Sequence, residues 1–366
     1  MEEFLNAELA KRNLPDLFSV NGIKITNKEE WERLARPYWK SLLLQEEYGA
    51  IPEILPFTIS TERQWVDFAG KAIWDKVVFT FEKEGKTHSV PTQFICPADG
   101  EKHPFFIYIN FRPDIPDRYL PVEELIDNGF GVFTVCYSDV TPDNNEFSGL
   151  PDLFNEGVCG QNRTGKIGYW SYMASRMMDY LLTREEVQKD AVGVCGHSRL
   201  GKTALLTAAL DERFAFACAN NSGCSGAALS RYASVGGEKI ADIVPRFPFW
   251  FIPSYAKYMN NEDALPFDQH ALLALVAPRG AFIGGADLDV WADNDNQFLN
   301  CCAVTPVWKL YGKKGFVAPD CYPKVGDNLN DGEVGFHLRA GKHYHSRTDW
   351  LAYMDSVKKY LARREG

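Results

Sequence analysis

The sequence predicts a three-layer sandwich in which helices cover both faces of a mostly parallel, doubly wound sheet. Three observations carry this. Short apolar runs alternate with segments of helical periodicity from about residue 105 to the end of the chain. Several runs, such as residues 129–137, are apolar almost throughout, the pattern of strands buried on both faces. No internal repeat, low-complexity stretch or flexible linker divides the 366 residues, so a single domain over 1–366 is expected.

Residues 1–60 are polar and proline-punctuated, with helical character around 27–48, and read as an N-terminal extension packed on the core. Runs 76–83, 87–96 and 105–110 are β-rich and separated by turn signals, Glu84-Gly85-Lys86 and Pro97 to Gly100. Residues 122–128 suit a short helix before the strand 129–137. The stretch 170–184 has helical periodicity, with Tyr172, Ser175, Arg176 and Asp179 off the apolar stripe. Strand 191–195, helix 203–210 and strand 215–220 follow. Residues 222–270 break this rhythm with Gly, Pro and aromatics and read as an inserted wall over a site. Helix and strand return at 272–278 and 281–286, then helices at 304–311 and 353–364. Loops 139–166 and 313–334, rich in Gly, Pro, Asp and Asn, are expected to be mobile.

Composition excludes several classes of partner. The chain carries 39 Lys and Arg against 49 Asp and Glu, a net charge of −10. A broad basic face for nucleic acid or for an anionic membrane is therefore not expected. No apolar run is long enough to span a bilayer. The nine cysteines are odd in number, and several lie in strand-like apolar runs, so reduced, buried thiols are expected rather than a disulfide framework. With an acidic N-terminus lacking an apolar leader, the chain as given is expected to be cytoplasmic; a secreted or periplasmic protein after leader removal is the alternative. No C-x-x-C pair is present, and His343-Tyr344-His345 is spaced too closely for a persuasive metal site, so neither metal nor cofactor is expected.

The chemistry concentrates at Gly196-His197-Ser198-Arg199-Leu200-Gly201-Lys202-Thr203. This octapeptide fits the phosphate-loop pattern G-x-x-x-x-G-K-S/T, in which Lys202 is a phosphate ligand. It also follows the apolar run 191–195 and precedes a helical run, as the strand-to-helix turn of a serine hydrolase does. In that reading Ser198 is a nucleophile. A serine hydroxyl needs an imidazole to take its proton, and the imidazole needs a carboxylate to fix its tautomer. The chain supplies both downstream in the order Ser, Asp, His. Asp287, Asp289 and Asp293 follow the strand-like run 281–286. Arg339 to His345 lies in a Gly-containing loop before the last helix, with His337 and His345 as competitors of His343. One departure from G-x-S-x-G is that Leu200 stands where glycine is usual and Gly201 comes one place later. His197 is read as structural.

These residues resemble glucuronoyl esterases, carbohydrate esterase family fifteen. Gly196 to Lys202 resembles the family's elbow, Asn221 to Arg231 its Ser-Gly-x-Gly-Gly segment, and Gly237-Glu238 its substrate-contacting Glu. Asp289-Val290-Trp291-Ala292-Asp293 resembles the bacterial D-x-W-A-D loop. Arg339-x-Gly341-x-His343 resembles the His loop, with Asp349-Trp350 as its companion. The resemblance runs from about residue 20 to the end. It implies an α/β-hydrolase that cleaves esters of (4-O-methyl-)glucuronic acid on glucuronoxylan, as in lignin–carbohydrate linkages; a monomer is expected. It implies Ser198 as nucleophile, His343 as general base and acid, and Arg199 as oxyanion donor. Lys202, Glu238 and Trp291 would hold the sugar. Many members place the triad acid at the position of Asn221, where an amide cannot balance the imidazolium charge. Some relatives use the later Asp, so Asp289 is assigned as acid, with Asp287 and Asp293 as fallbacks. An acetylxylan or general carboxylesterase, a hydrolase fold that only binds carbohydrate, and the phosphate-loop protein are the alternatives.

Overall fold

The computed structural model describes residues 3–63, 68–154 and 164–365. Its middle layer is a ten-stranded sheet. The strands are β1 (Phe57–Arg63), β2 (Ala72–Lys83), β3 (Lys86–Pro97), β4 (His103–Asn110), β5 (Gly131–Cys136), β6 (Val187–His197), β7 (Phe216–Asn220), β8 (Gly280–Ala286), β9 (Asn328–Leu329) and β10 (Val334–Arg339). Their order across the sheet is β9-β10-β8-β7-β6-β4-β5-β3-β2-β1. From β10 through β5 the neighbours are parallel. Antiparallel strands extend both edges, β1 to β3 on one side and β9 on the other. The strand order reverses at β4, so the carboxyl ends of β4, β6, β7 and β8 open onto one crevice, the usual place for a site in such a sheet.

Helices α1 (Val122–Asp127), α2 (Lys166–Leu181), α3 (Arg199–Leu210), α4 (Ile240–Arg246), α5 (Gln269–Ala274), α6 (Asn294–Leu310) and α7 (Arg347–Glu365) form the outer layers. Alternation along the strands divides the core in two. Phe106, Tyr108, Val132, Cys195, Phe216 and Phe282 face α1 and α7, where Leu125, Trp350, Tyr353 and Val357 meet them. Phe105, Ile107, Ile109, Val194, Ala217 and Ile283 face the opposite layer of α2, α3, α5 and α6. Both faces are covered, so the central strands read as continuous apolar runs. The β2–β3 hairpin turns at Glu84-Gly85, both in the left-handed region (φ 50° and 77°), as a tight two-residue turn requires.

The N-terminal residues contribute to the larger core through Leu5, Leu17, Trp31, Trp39 and Tyr48. Arg36 ties them down, donating to the Leu275 carbonyl at 2.7 Å and the Ala277 carbonyl at 2.5 Å. The structure corrects the sequence reading in three places. Helix α6 begins at Asn294, well before the expected 304. Its first turns are polar because they bind the 222–231 segment: Gln297 Oε1 accepts from Ser222 N at 3.2 Å and Asn300 Nδ2 donates to Ala227 O at 2.7 Å. Strand β10 was not expected, since His337 and Arg339 look unlike buried strand residues; Asp349 pairs with both. The same carboxylate caps the first turn of α7, which therefore starts at Arg347 rather than 353. Of the loop 139–166, residues 155–163 lie outside the described residues. Loop 313–334 carries β9 and a parallel bridge between Phe316 and Val334.

Six of the eight described cysteines are buried. No helix among the described residues is long and apolar enough to cross a membrane.

One buried acid sets a pH dependence of stability. Glu47 is fully buried, accepts from Gln269 Nε2 at 3.0 Å, and burial pushes its carboxyl up to about 7 from 4.5. The folded chain holds a proton there that the unfolded chain releases. The contribution of Glu47 to stability is therefore fullest below about pH 4.5 and falls as pH rises toward 7, by about 1.4 kcal/mol per unit of difference. Glu47→Gln should flatten that fall. Melting temperatures of both proteins from pH 5 to 8 check this; parallel profiles would contradict it.

Candidate active site

The site grows from the turn between β6 and α3. Ser198 sits there at φ 58°, ψ −127°, a conformation non-glycine residues adopt only under constraint. The constraint is visible. Ser198 N donates to Asn220 O at the end of β7 (2.8 Å), and Ser198 O accepts from Gly201 N and Lys202 N at 2.9 and 3.2 Å. The flanking glycines explain the unusual spacing. A Cβ on Gly196 would lie 2.1 Å from Leu200 O, and one on Gly201 would press on Ser222 Cβ, Asn220 O and Gly196 O at 3.1–3.2 Å. Close approach to β7 falls at residue 201, so Leu200 is free to point into the core, where it is fully buried.

Ser198 and His343 line one cleft of about 410 Å³ together with Asn221, Asp289, Glu238, Trp291 and Trp250. His343 stands on the loop after β10, with its side chain 43% exposed. Its Nδ1 lies 2.6 Å from Asp289 Oδ2. Asp289 itself is buried (5% exposed). The two fallback acids have other tasks. Asp287 Oδ1 accepts from Gly341 N at 2.7 Å and so fixes the His343 loop. Asp293 caps α6 and accepts from Ser234 N at 2.9 Å and Asn296 Nδ2 at 2.7 Å.

The competing histidines are likewise engaged. His337 Nε2 pairs with Asp349 Oδ1 at 2.9 Å. His345 is buried against Trp350, its Nδ1 3.1 Å from Tyr108 OH, and burial holds it down at about 3. Burial alone would raise the Asp349 carboxyl, but His337, His345 and Arg339 hold it well below the usual carboxylate range. Arg339 spans from Asp349 (2.7 Å) to the carbonyls of Lys342 and Tyr344, so this buried cluster anchors the loop that presents His343. His197 accepts a structural role: its Nδ1 meets Asn220 Oδ1 at 2.7 Å, and burial, then the neighbouring His343, push it well below the usual histidine range.

Arg199 opens α3, so its backbone N–H is one of those a helix start leaves free beside Ser198. Its guanidinium bonds Asp143 and lies 4.6 Å from the centre of the Trp250 ring, while its Nε is buried without a partner. Asp143 also accepts from Trp250 Nε1 at 2.7 Å. Asp143, Trp250, Phe247 and Arg246 escaped the sequence reading. Their partners lie far away in sequence, and no local pattern marks them; only the aromatic density of 247–251 hinted at a wall.

Lys202 does not behave as a phosphate ligand. It is buried, and its Nζ donates to Ser222 O at 2.5 Å and Cys224 O at 2.6 Å, with Glu238 Oε2 at 3.5 Å. Its charge and its donors are thus already engaged by the segment at the pocket floor, and the carboxylate beside it opposes a polyphosphate. The phosphate-loop reading is corrected accordingly. Glu238 and Trp291 clasp each other twice, Trp291 Nε1 to Glu238 Oε1 at 2.8 Å and Glu238 N to Trp291 O at 2.9 Å. The Arg246 guanidinium lies 4.9 Å from the Trp291 ring centre. Among the described residues, no group of His, Cys, Asp and Glu side chains is placed to hold a metal.

Comparison with known proteins places this geometry among relatives. The family model for fungal glucuronyl esterases matches residues 79–312. A carbohydrate esterase from an unknown prokaryotic organism is 31% identical, over 97% of this chain and 91% of its own length. A 4-O-methyl-glucuronoyl methylesterase of Schizophyllum commune is 30% identical over 82% of this chain and 74% of its own. The solved glucuronoyl esterase of Solibacter usitatus superposes with a TM-score of 0.86 at 30% identity, covering 95% of this chain and 98% of that one.

The Asp143 contact generates a test. Asp143→Ala releases the Arg199 guanidinium and the Trp250 indole. Losing one hydrogen bond to a charged group is worth about 1.5–3 kcal/mol, so kcat/KM toward an ester should fall about tenfold or more. A double-mutant cycle with Arg199→Ala should be non-additive. Additive losses would show that the two side chains act separately.

Proposed function

The chain belongs to the glucuronoyl esterase family and is a carboxylic ester hydrolase, and from that premise we propose that it hydrolyses esters of 4-O-methyl-glucuronic acid through Ser198, His343 and Asp289. The observation that carries the residue assignment is the 2.6 Å contact between His343 Nδ1 and Asp289 Oδ2, in a cleft that also exposes Ser198.

In this mechanism Ser198 Oγ attacks the ester carbonyl while His343 Nε2 takes its proton. Asp289 fixes the imidazole with Nε2 facing the serine and stabilises the imidazolium. The oxyanion accepts from the Arg199 backbone N–H and from its guanidinium; one such donor is worth about 2.7–4 kcal/mol in similar sites. Collapse breaks the bond to the alcohol oxygen, which leaves with the proton returned by His343. Water, deprotonated by the same imidazole, then attacks the acyl-serine and releases the uronic acid. No step needs a metal or a redox cofactor.

The cleft's polar rim supports an acyl group rich in hydroxyls. Glu238, the Trp291 indole, Trp250, Phe247 and Lys202 all line the cleft. We assign Glu238 and Trp291 to the sugar ring. Lys202 serves the sugar mainly by holding the carbonyls of Ser222 and Cys224, because two of its donors are already spent on them. The natural ester we propose is one between glucuronoxylan and a lignin alcohol.

Hydrolysis of benzyl glucuronate and of 4-nitrophenyl acetate by the wild type, Ser198→Ala and Asp289→Asn tests the reading. The expected outcome is preference for the glucuronate, loss of turnover in Ser198→Ala, and a fall of about 10³–10⁴-fold in kcat for Asp289→Asn. Preference for the acetate would favour a general carboxylesterase, and full activity in Asp289→Asn would remove Asp289 from the triad.

A further inference from the structure

Asn221 follows β7 directly, with its backbone in the left-handed region (φ 46°). Its N–H donates to Gly284 O on β8 at 2.7 Å, which fixes it against the strand that leads to Asp289. Its Nδ2 then donates to Asp289 Oδ2 at 2.5 Å. That is the same oxygen that meets His343 Nδ1 at 2.6 Å. Both residues are buried, Asn221 at 2% and Asp289 at 5% exposure. An amide has a donor and an acceptor end, and a carboxylate takes only the donor. The orientation of the side chain is therefore dictated by its partner.

We infer that Asn221 is a positioning residue of the catalytic acid: its amide holds Asp289 Oδ2 on the His343 Nδ1 axis and keeps a single negative charge in the pair. This rests on the triad proposed above, and it explains why a chain with its acid at 289 carries an amide at 221. A carboxylate at 221 would set two like charges at hydrogen-bond distance in a buried site, where one would have to take up a proton. An aliphatic residue would leave Asp289 with one donor fewer and freer to rotate away from the imidazole. The residue acts through Asp289 and donates nothing to the imidazole itself.

The consequence is readable in rate and in pH. By withdrawing charge from Asp289, the amide proton limits how strongly the carboxylate holds the imidazolium. Removing it should hold the proton on His343 more tightly and move the acid limb of the kcat/KM profile to higher pH. Asn221→Ala is expected to lower kcat about tenfold, with KM changed less than about twofold, and to shift that limb upward. Asn221→Asp keeps the shape but sets a second carboxylate against Asp289, where the pair must share a proton, so its profile should gain a further ionisation that the wild type lacks. Both variants are measured on benzyl glucuronate and on 4-nitrophenyl acetate, because the acid serves either ester. Should Asn221→Ala fail to fold, the isosteric Asn221→Asp decides alone. Rates and pH profiles superimposing on the wild type for both esters would overturn the inference. Failure of the wild type on benzyl glucuronate alone would count against the substrate reading, and the acetate series would still decide the role of Asn221.

Discussion

The backbone of Ser198 is bent into φ 58°, ψ −127° between a parallel strand and the helix that follows it, and the rest of the site is arranged around that bend. Such a conformation costs on the order of 1–3 kcal/mol and persists only when its surroundings over-determine it. Here they do so from three sides. The neighbouring strand accepts the Ser198 N–H, the first turn of α3 donates back to its carbonyl, and two glycines allow the strand and helix to close without a Cβ between them. The bend lifts the hydroxyl above the carboxyl edge of the sheet and leaves the Arg199 N–H free beside it.

Everything that must meet the serine is carried on neighbouring strand ends. Asn221 follows β7, Asp289 follows β8 and His343 follows β10. These strands are adjacent and parallel, so residues far apart in sequence converge on one cleft. The most demanding piece is the His343 loop, which has no regular structure of its own. A buried carboxylate, Asp349, pays for its order by pairing with His337 and Arg339 on β10 and with the start of α7. Arg339 then reaches two carbonyls of the loop, so the loop's shape is set by a charge cluster beneath it.

Three of the cleft's charged side chains stand in pairs. Arg199 meets Asp143, Lys202 meets Glu238 and His343 meets Asp289. Paired charges suit a neutral ester better than a polyanion, and this separates the hydrolase from the phosphate loop that the same octapeptide imitates. The 222–270 segment adds the aromatic wall, Phe247 stacked on Trp250 at 3.9 Å, which carries the Arg199 guanidinium on its face.

The sequence by itself determined the layered fold, because apolar runs buried on both faces of a parallel sheet cannot be disguised. It also marked Ser198, since a tight strand-to-helix turn leaves a local trace, and the order in which the candidate acid and base follow it. The resemblance narrowed three aspartates to Asp289. Tertiary structure alone decided which partners Asp287 and Asp293 take, which of three histidines shares a cleft with Ser198, and that Lys202 is a buried cross-link. It alone revealed β10 and the early start of α6, whose polar residues look like loop until their partners are seen. Asp143, Trp250 and the amide of Asn221 belong to the same class. Their roles are pairings between distant segments, and a pairing energy is a property of two positions that no local pattern in one of them records.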